Sequence, residues 1–128
     1  MKWLLILLSL LYVFSAYASC EGGTEITGKN GHVYCASNVL MNWYTAFAWC
    51  DAQGRTLVTM EQICDIDETQ YWDGNIGEGE CLNMVGLGSA LYVWSSTSYS
   101  SSHAFDVNLS NGTVNTYPHI SMINALCW

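Results

Sequence analysis

The chain has 128 residues, and 11 acidic side chains against three Lys and Arg give it a net charge of −8 at pH 7. Such an acidic balance repels phosphate backbones and anionic membranes, so nucleic acid is excluded as an expected partner. The length and the six cysteines indicate one small domain that is held together by disulfides.

Residues 1–18 have the features of a secretory signal peptide. Lys2 precedes an apolar run, and the segment ends in Ala16-Tyr17-Ala18, an A-x-A cleavage pattern. The run is too short for a membrane span, and no other stretch approaches the ~18 apolar residues that a span requires. The sequence therefore predicts cleavage near Ala18, one domain over residues 19–128, no transmembrane span in the mature chain, and a secreted or cell-surface location.

All the cysteines follow the signal peptide and would meet an oxidising compartment, where three disulfides are expected. They are Cys20, Cys35, Cys50, Cys64, Cys81 and Cys127. No spacing among them forms a CxxC motif and no His is close enough to complete a zinc site, so no metal is assigned. The spacing alone leaves fifteen pairings open. An alternative for Cys20 is lipidation, because it follows Ala18-Ser19.

Local patterns predict a hairpin and two helices in the first half of the domain. Residues 20–35 are glycine-rich and predict a short hairpin. The next segment, MNWYTAFAWCDAQG, has Trp43, Phe47 and Cys50 at helical spacing with Ala46 on the same face, between an Asn42 N-cap and Gly54 as the C′ residue. A second short helix begins at Thr59, where Thr59-Met60-Glu61-Gln62 fits a capping box.

The second half of the domain begins with an acidic loop and continues with strands. Residues 65–80 are rich in acids and glycines and predict a surface loop. Asn111-Gly112 then predicts a two-residue hairpin turn in which Leu109 faces Val114 and Asp106 faces Tyr117. Alternation along the strands predicts two faces. The buried face holds Phe105, Val107, Leu109 and Val114, and the exposed face holds Asp106, Asn108, Asn115, Tyr117 and His119.

The order of these motifs resembles a C-type-lectin-fold module. The motifs are NWYTAFAWCDAQGRTL, TMEQI, VWSST, HAFDVNLSNGTV and a terminal ALCW, and they cover roughly residues 31–128. The closest resemblance is to short bacterial modules at the C-terminus of collagen-like surface adhesins. The chain departs from the pattern at Thr56-Leu57-Val58, where relatives often have Arg-Leu-Pro.

The resemblance implies a fold and a set of disulfides. The fold is α+β and C-type-lectin-like, with two short helices packed on small antiparallel sheets. Cys50 on the first helix would pair with Cys127 on the last strand, Cys20 with Cys35 in the N-terminal hairpin, and Cys64 with Cys81 around the acidic loop. Closing the longest of these loops is worth about 4–5 kcal/mol in the chain-entropy model.

Three functions compete, because a fold does not fix a function. Calcium-dependent sugar binding could use hard oxygen ligands in the loop over residues 65–80, but the Glu-Pro-Asn, Gln-Pro-Asp and Trp-Asn-Asp motifs of sugar-binding lectins are missing. Catalysis is not expected, because no nucleophile motif is present and every cysteine is expected to be paired. No cofactor is assigned, and calcium stays an alternative.

A ligand-binding or adhesion module is the preferred interpretation. The C-terminal tract is rich in Tyr, Ser, Asn and Thr and nearly free of Lys and Glu, which is the composition of an antibody paratope. It also resembles the variable tract of diversity-generating-retroelement target proteins, which implies that the surface is diversified. The predicted partner is an extracellular protein or glycan. The candidate ligand-binding residues are Tyr99, His103, Asp106, Asn108, Asn115, Tyr117, His119, Ser121 and Asn124.

Overall fold

The computed structural model describes residues 18–64, 81, 91–110 and 112–128. This part of the chain is α+β, with two helices and six strands in one sheet. The strands are β1 (Gly23–Thr27), β2 (Val33–Met41), β3 (Tyr92–Ser98), β4 (His103–Asn108), β5 (Val114–Pro118) and β6 (Ile123–Cys127). The helices are α1 (Trp43–Ala52) and α2 (Met60–Cys64).

The sheet is mixed, with the strand order β1-β2-β6-β3-β4-β5. Strand β6 pairs antiparallel with β2 and parallel with β3, and the remaining pairs are antiparallel. The α+β class is therefore confirmed, but the expectation of small antiparallel sheets is wrong. A single sheet forms because β6 joins the two antiparallel groups that flank it.

Helix α1 has the caps that the sequence predicts. The Asn42 side chain accepts a hydrogen bond from the Thr45 amide at 2.9 Å, and Gly54 after the helix has a φ of +70°. Asn42 satisfies a backbone amide at the start of the helix, and the positive φ of Gly54 lets the chain turn away at its end. Ala46 and Cys50 are buried as expected, whereas Phe47 is 41% exposed.

Helix α2 begins with the predicted capping box. The Gln62 side chain accepts from the Thr59 amide at 2.9 Å, and the Thr59 hydroxyl accepts from the Gln62 amide at 3.1 Å. Two amides at the start of the helix are satisfied in this reciprocal way. The helix places Met60 and Ile63 in the core.

The two predicted hairpins form, and the register of the second differs from the prediction. In β4–β5, Val107 faces Val114 and Asp106 faces Asn115, a displacement of two residues. The loop is longer than two residues, since the Gly112 amide donates to the Asn108 carbonyl at 2.8 Å. An even displacement keeps every side chain on its predicted face. Asn111 lies outside the described residues.

Both faces of the sheet are covered. One face carries a core that includes Val93, Phe105, Val107 and Leu126, packed against residues of α2. The opposite face carries a second core around Trp94, with Ala46 and Cys50 of α1. The predicted buried face is confirmed, and the predicted exposed face lies largely under the second core.

Three disulfides link Cys20–Cys35, Cys50–Cys127 and Cys64–Cys81, which confirms the pairings that the resemblance implied. Disulfides of this number are typical of proteins in oxidising compartments outside the cytosol. Neither described helix is long and apolar enough to cross a membrane. The signal peptide over residues 1–18 lies almost wholly outside the described residues and stays a prediction.

Candidate recognition surface

Three segments of the chain meet at His119. The Trp43 amide at the start of α1 donates to the His119 carbonyl at 3.0 Å, and the His119 amide donates to the Ser102 carbonyl at 2.8 Å. The contacts bring together the β2–α1 junction (residues 38–45), the serine-rich β3–β4 loop (residues 98–102) and the β5–β6 turn (residues 118–122). We call this part of the surface the uncharged end.

The His119 side chain holds these segments in place. Its ring stacks on the Trp43 indole with centroids 3.9 Å apart and an interplanar angle of 13°. Its Nδ1 lies 3.2 Å from the Tyr44 hydroxyl. Only 5% of the residue is exposed, and Nε2 is buried without a hydrogen-bond partner among the described groups. His119 is therefore a support beneath the surface and not a contact residue.

Large apolar side chains project from the uncharged end. Ile120 is 80% exposed, Tyr44 is 59% exposed and Leu40 is 58% exposed. Val39, Met122 and Tyr99 are also exposed. A single exposed apolar residue needs no explanation, but a group of them contributed by three adjoining segments is typical of an interaction site.

The serine loop supplies hydrogen-bonding groups beside these apolar residues. The Ser98 hydroxyl donates to the Ser100 carbonyl at 2.7 Å, and the Ser100 hydroxyl accepts from the His103 amide at 3.2 Å. The Ser102 hydroxyl lies 2.8 Å from His103 Nδ1. The loop is therefore held by its own hydroxyls, and it presents exposed serines and Tyr99.

The uncharged end has no formal charge at neutral pH when its histidines are neutral. Residues 30–50 and 112–128 contain no Asp, Glu, Lys or Arg, and residues 91–110 contain only Asp106, which is fully buried. The rest of the chain carries a strong acidic excess. A partner therefore has no fixed charge to desolvate when it covers this end.

The nine candidate ligand-binding residues do not share one surface. Tyr99 and Asn115 are exposed, and His103, Tyr117 and Ser121 are partly exposed. Asp106, Asn108, His119 and Asn124 are buried, so the prediction that the first three lie on an exposed face is wrong. Asn124 donates to the Ser37 carbonyl at 2.8 Å. The physical reason is that α1 and its aromatic residues cover the face that alternation had assigned to solvent.

Asp106 is a buried acid with neither carboxylate oxygen hydrogen-bonded to a described group. It lies on β4 between Trp94 of β3 and Asn115 of β5. Burial raises the pKa of Asp106 from its ordinary value of 3.8 to about 7. The side chain is thus half protonated near neutral pH, and its charged form is a source of instability in the fold.

Sequence reasoning missed the apolar residues of the uncharged end. Val39, Leu40, Tyr44, Ile120 and Met122 are contact candidates because of their exposure. A signal was available in Ile120-Ser121-Met122, since these residues follow Pro118 in a stretch that the hairpin pattern does not explain. No set of His, Cys, Asp and Glu in the described ranges is arranged for a metal ion. The acidic loop over residues 65–80, the candidate calcium site, lies outside those ranges.

No model of a protein family matches this chain, and no curated protein is significantly similar to it.

Proposed function

We propose that the protein is a secreted or surface-displayed recognition module with a C-type-lectin-like fold, which binds an extracellular protein through the uncharged end. The single observation that carries the proposal is the group of exposed Ile120, Leu40 and Tyr44 on a surface without fixed charge. Interfaces have cores depleted in charge and enriched in aromatic residues and Met. Exposed serines beside them give adaptable hydrogen bonds, as in paratopes.

The fold and the disulfides support the same proposal. Helix α1 is tied to the last strand by Cys50–Cys127, and Cys20 and Cys35 close the N-terminal hairpin. Recognition loops on a cross-linked scaffold lose little conformational freedom on binding. The C-type-lectin-like assignment itself rests on the sequence motifs around Trp43 and Trp94.

Diversification of the surface is part of the proposal. The exposure of each candidate residue indicates which of them diversification could change without disturbing the fold. Among the candidate residues, Tyr99, His103, Asn115, Tyr117 and Ser121 are accessible to a ligand. The buried residues Asp106, Asn108, His119 and Asn124 would be held constant by packing. Deep sequencing of the 3′ end of the gene in the source population tests this, because variation spread equally over both groups would contradict it.

The binding test uses one charged substitution at the uncharged end. Ligands are first sought on panels of extracellular proteins and of glycans, each with and without a calcium chelator. Ile120→Asp should then reduce the binding of a selected protein by at least about tenfold, because it places a charge in a desolvated interface. Val33→Asp is the matched control. Val33 is also exposed, but it begins β2, whereas the other end of that strand belongs to the uncharged end.

Each outcome separates the proposal from its alternatives. Equal loss of binding in the two variants would contradict a contact surface at the uncharged end. Binding confined to glycans and abolished by the chelator would favour the calcium-dependent lectin, with the loop over residues 65–80 as its site. Metal-independent binding of a protein that Ile120→Asp weakens and Val33→Asp does not would support the module proposed.

A further inference from the structure

A groove with a volume of about 620 Å³ lies beside α1 and is separate from the residues of the uncharged end. Phe47 and Asp51 of α1 line it, together with the connection from α1 to α2, including Leu57 and Thr59. Ser96 of β3 also lines it. Small-molecule sites have volumes of roughly 300–1,000 Å³, so the groove is of a suitable size for one.

The groove has an apolar wall that the fold leaves uncovered. Phe47 is 41% exposed although its helical position places it next to Ala46, which is fully buried. Its ring stands edge-on to the Trp43 indole, with centroids 4.8 Å apart and an interplanar angle of 83°. Leu57, which is only 4% exposed, lies in the same lining. The apolar part of a ligand would cover the Phe47 ring, which the protein itself leaves partly exposed to solvent.

The two charged residues of the groove differ in what they already bind. The Arg55 guanidinium donates to the backbone carbonyls of Ser19 at 2.9 Å, Val33 at 3.1 Å and Trp128 at 3.2 Å. Its Nε and Nη1 groups are therefore engaged by backbone carbonyls, whose negative ends face its positive charge. These three bonds hold the chain near residue 19 and the end of β6 against the start of β2.

Asp51 is the charge that stays available. It is exposed in the last turn of α1, and its carboxylate makes no ion pair or hydrogen bond with another side chain in the described ranges. An acid at this end of a helix opposes the macrodipole, so its position is not explained by helix stability. Asp51 therefore gives no stabilisation through a side-chain partner, while it makes the groove attractive to a cation.

We propose that the groove binds a small organic ammonium ligand, with its cation at Asp51 and its apolar body against Phe47 and Leu57. The chemical class follows from the lining: one unengaged carboxylate, an exposed aromatic ring, and the hydroxyl groups of Thr59 and Ser96. The acidic net charge of the chain favours the approach of such a cation. This site is additional to the recognition surface, because it uses different residues.

The test compares three probes that share a phenyl ring and differ in charge. The ¹⁵N-labelled protein is titrated at pH 7 with 2-phenylethylamine, 2-phenylethanol and 3-phenylpropionate, and amide chemical shifts are followed. The expected order of affinity is amine, then alcohol, then carboxylate, with the largest shifts at Phe47, Asp51 and Leu57. An exposed ion pair should favour the amine over the alcohol by about two- to fivefold.

Variants then assign the selectivity to the groove. Asp51→Asn should reduce the affinity for the amine to that for the alcohol and leave the alcohol unchanged. Glu61→Gln is the matched control, since it removes one exposed acid outside the groove and should change neither affinity. Phe47→Ala should weaken both probes, because it removes the apolar wall.

Three results would overturn the proposal. They are equal affinities for the amine and the alcohol, equal losses in Asp51→Asn and Glu61→Gln, and saturable shifts that map outside the groove or are missing at the solubility limit of the amine. The Ile120→Asp variant should bind the amine normally, which keeps this test distinct from that of the recognition surface.

Discussion

Asp106 shows how one buried carboxyl group determines the pH dependence of stability. The pKa of Asp106 is about 7 in the folded protein, above its ordinary value of 3.8. The folded state therefore binds the proton more tightly than the unfolded state. Its contribution is most favourable below pH 4, is lost as the pH rises towards 7, and stays lost above pH 7.

Asp106→Asn should remove most of this dependence. Because the amide cannot ionise, we expect the variant to unfold at higher urea concentration than the wild type at pH 8, by about 1–3 kcal/mol in free energy of unfolding. At pH 4 the two proteins should differ little. Urea unfolding at pH 4, 6 and 8 measures the effect. Glu25→Gln, which changes an exposed acid on β1 and away from both helices, is the control and should keep the wild-type profile.

A wild-type stability at pH 8 equal to that of Asp106→Asn would show that the carboxylate is solvated or paired in the folded protein. The burial of Asp106 could not be read from the sequence. An Asp between Phe105 and Val107 on an alternating strand is typical of a solvated face, and only the long-range packing of α1 against the sheet reveals that this face is covered.

Among the elements, α1 connects the core to the uncharged end. Its N-cap fixes the position of Trp43, whose indole supports His119, and of Tyr44, whose hydroxyl lies beside the same ring. The cap, the buried residues Ala46 and Cys50, and the Gly54 terminus were all predictable because they depend on neighbours within about one helical turn.

Replacing the cap should affect both stability and binding. Asn42→Ala removes the acceptor for the Thr45 amide and should lower the free energy of unfolding by about 1 kcal/mol. Binding at the uncharged end should weaken as well, because Tyr44 loses its fixed position. Asn42→Ser, which keeps an uncharged acceptor, should preserve both properties. Thermal unfolding and ligand titration of the two variants check this, and an unchanged Asn42→Ala would mean that packing alone holds the start of the helix.

The β4–β5 hairpin shows where local rules fail. Asn111-Gly112 favours a two-residue turn, yet the Asn108 side chain accepts hydrogen bonds from the Ser110 amide and hydroxyl at 2.9 and 2.6 Å and begins the loop earlier. The side-chain bonds of Asn compete with the strand ladder in this way. The division of side chains between the two faces was still predicted correctly, since the displacement is even.

Across the whole molecule, the disulfides differ in how much they contribute to the free energy of unfolding. Cys50 and Cys127 are 77 positions apart in the chain and join α1 to a central strand, whereas Cys64 and Cys81 are 17 positions apart. Replacing Cys50 and Cys127 by Ala should cost about 4–5 kcal/mol, and replacing Cys64 and Cys81 about 3 kcal/mol. Urea unfolding of both double variants measures the difference. Equal losses would show that native-state contacts, and not the length of the closed loop, set the contribution.

The disulfides could thus be predicted from the resemblance and the helices from local patterns in the sequence. The uncharged end could not. Ile120, Leu40 and Tyr44 come from segments that are distant in the chain, and each alone is an ordinary exposed residue. Their grouping depends on the contacts of His119 with α1 and the serine loop. Contacts of this range leave no periodic signal in the sequence.

The central position of β6 has a consequence for the timing of folding. Strands β1 and β2 pair with each other, and β3 to β5 pair among themselves, but among the described strands only β6 joins the two groups in the sheet. Until residue 127 has been synthesised, the inner edges of β2 and β3 have no partner in the sheet. The long sequence separation of these pairings predicts slow folding. A chain whose sheet cannot be completed before its last strand is made is expected to stay unfolded during synthesis, which suits the export that we propose.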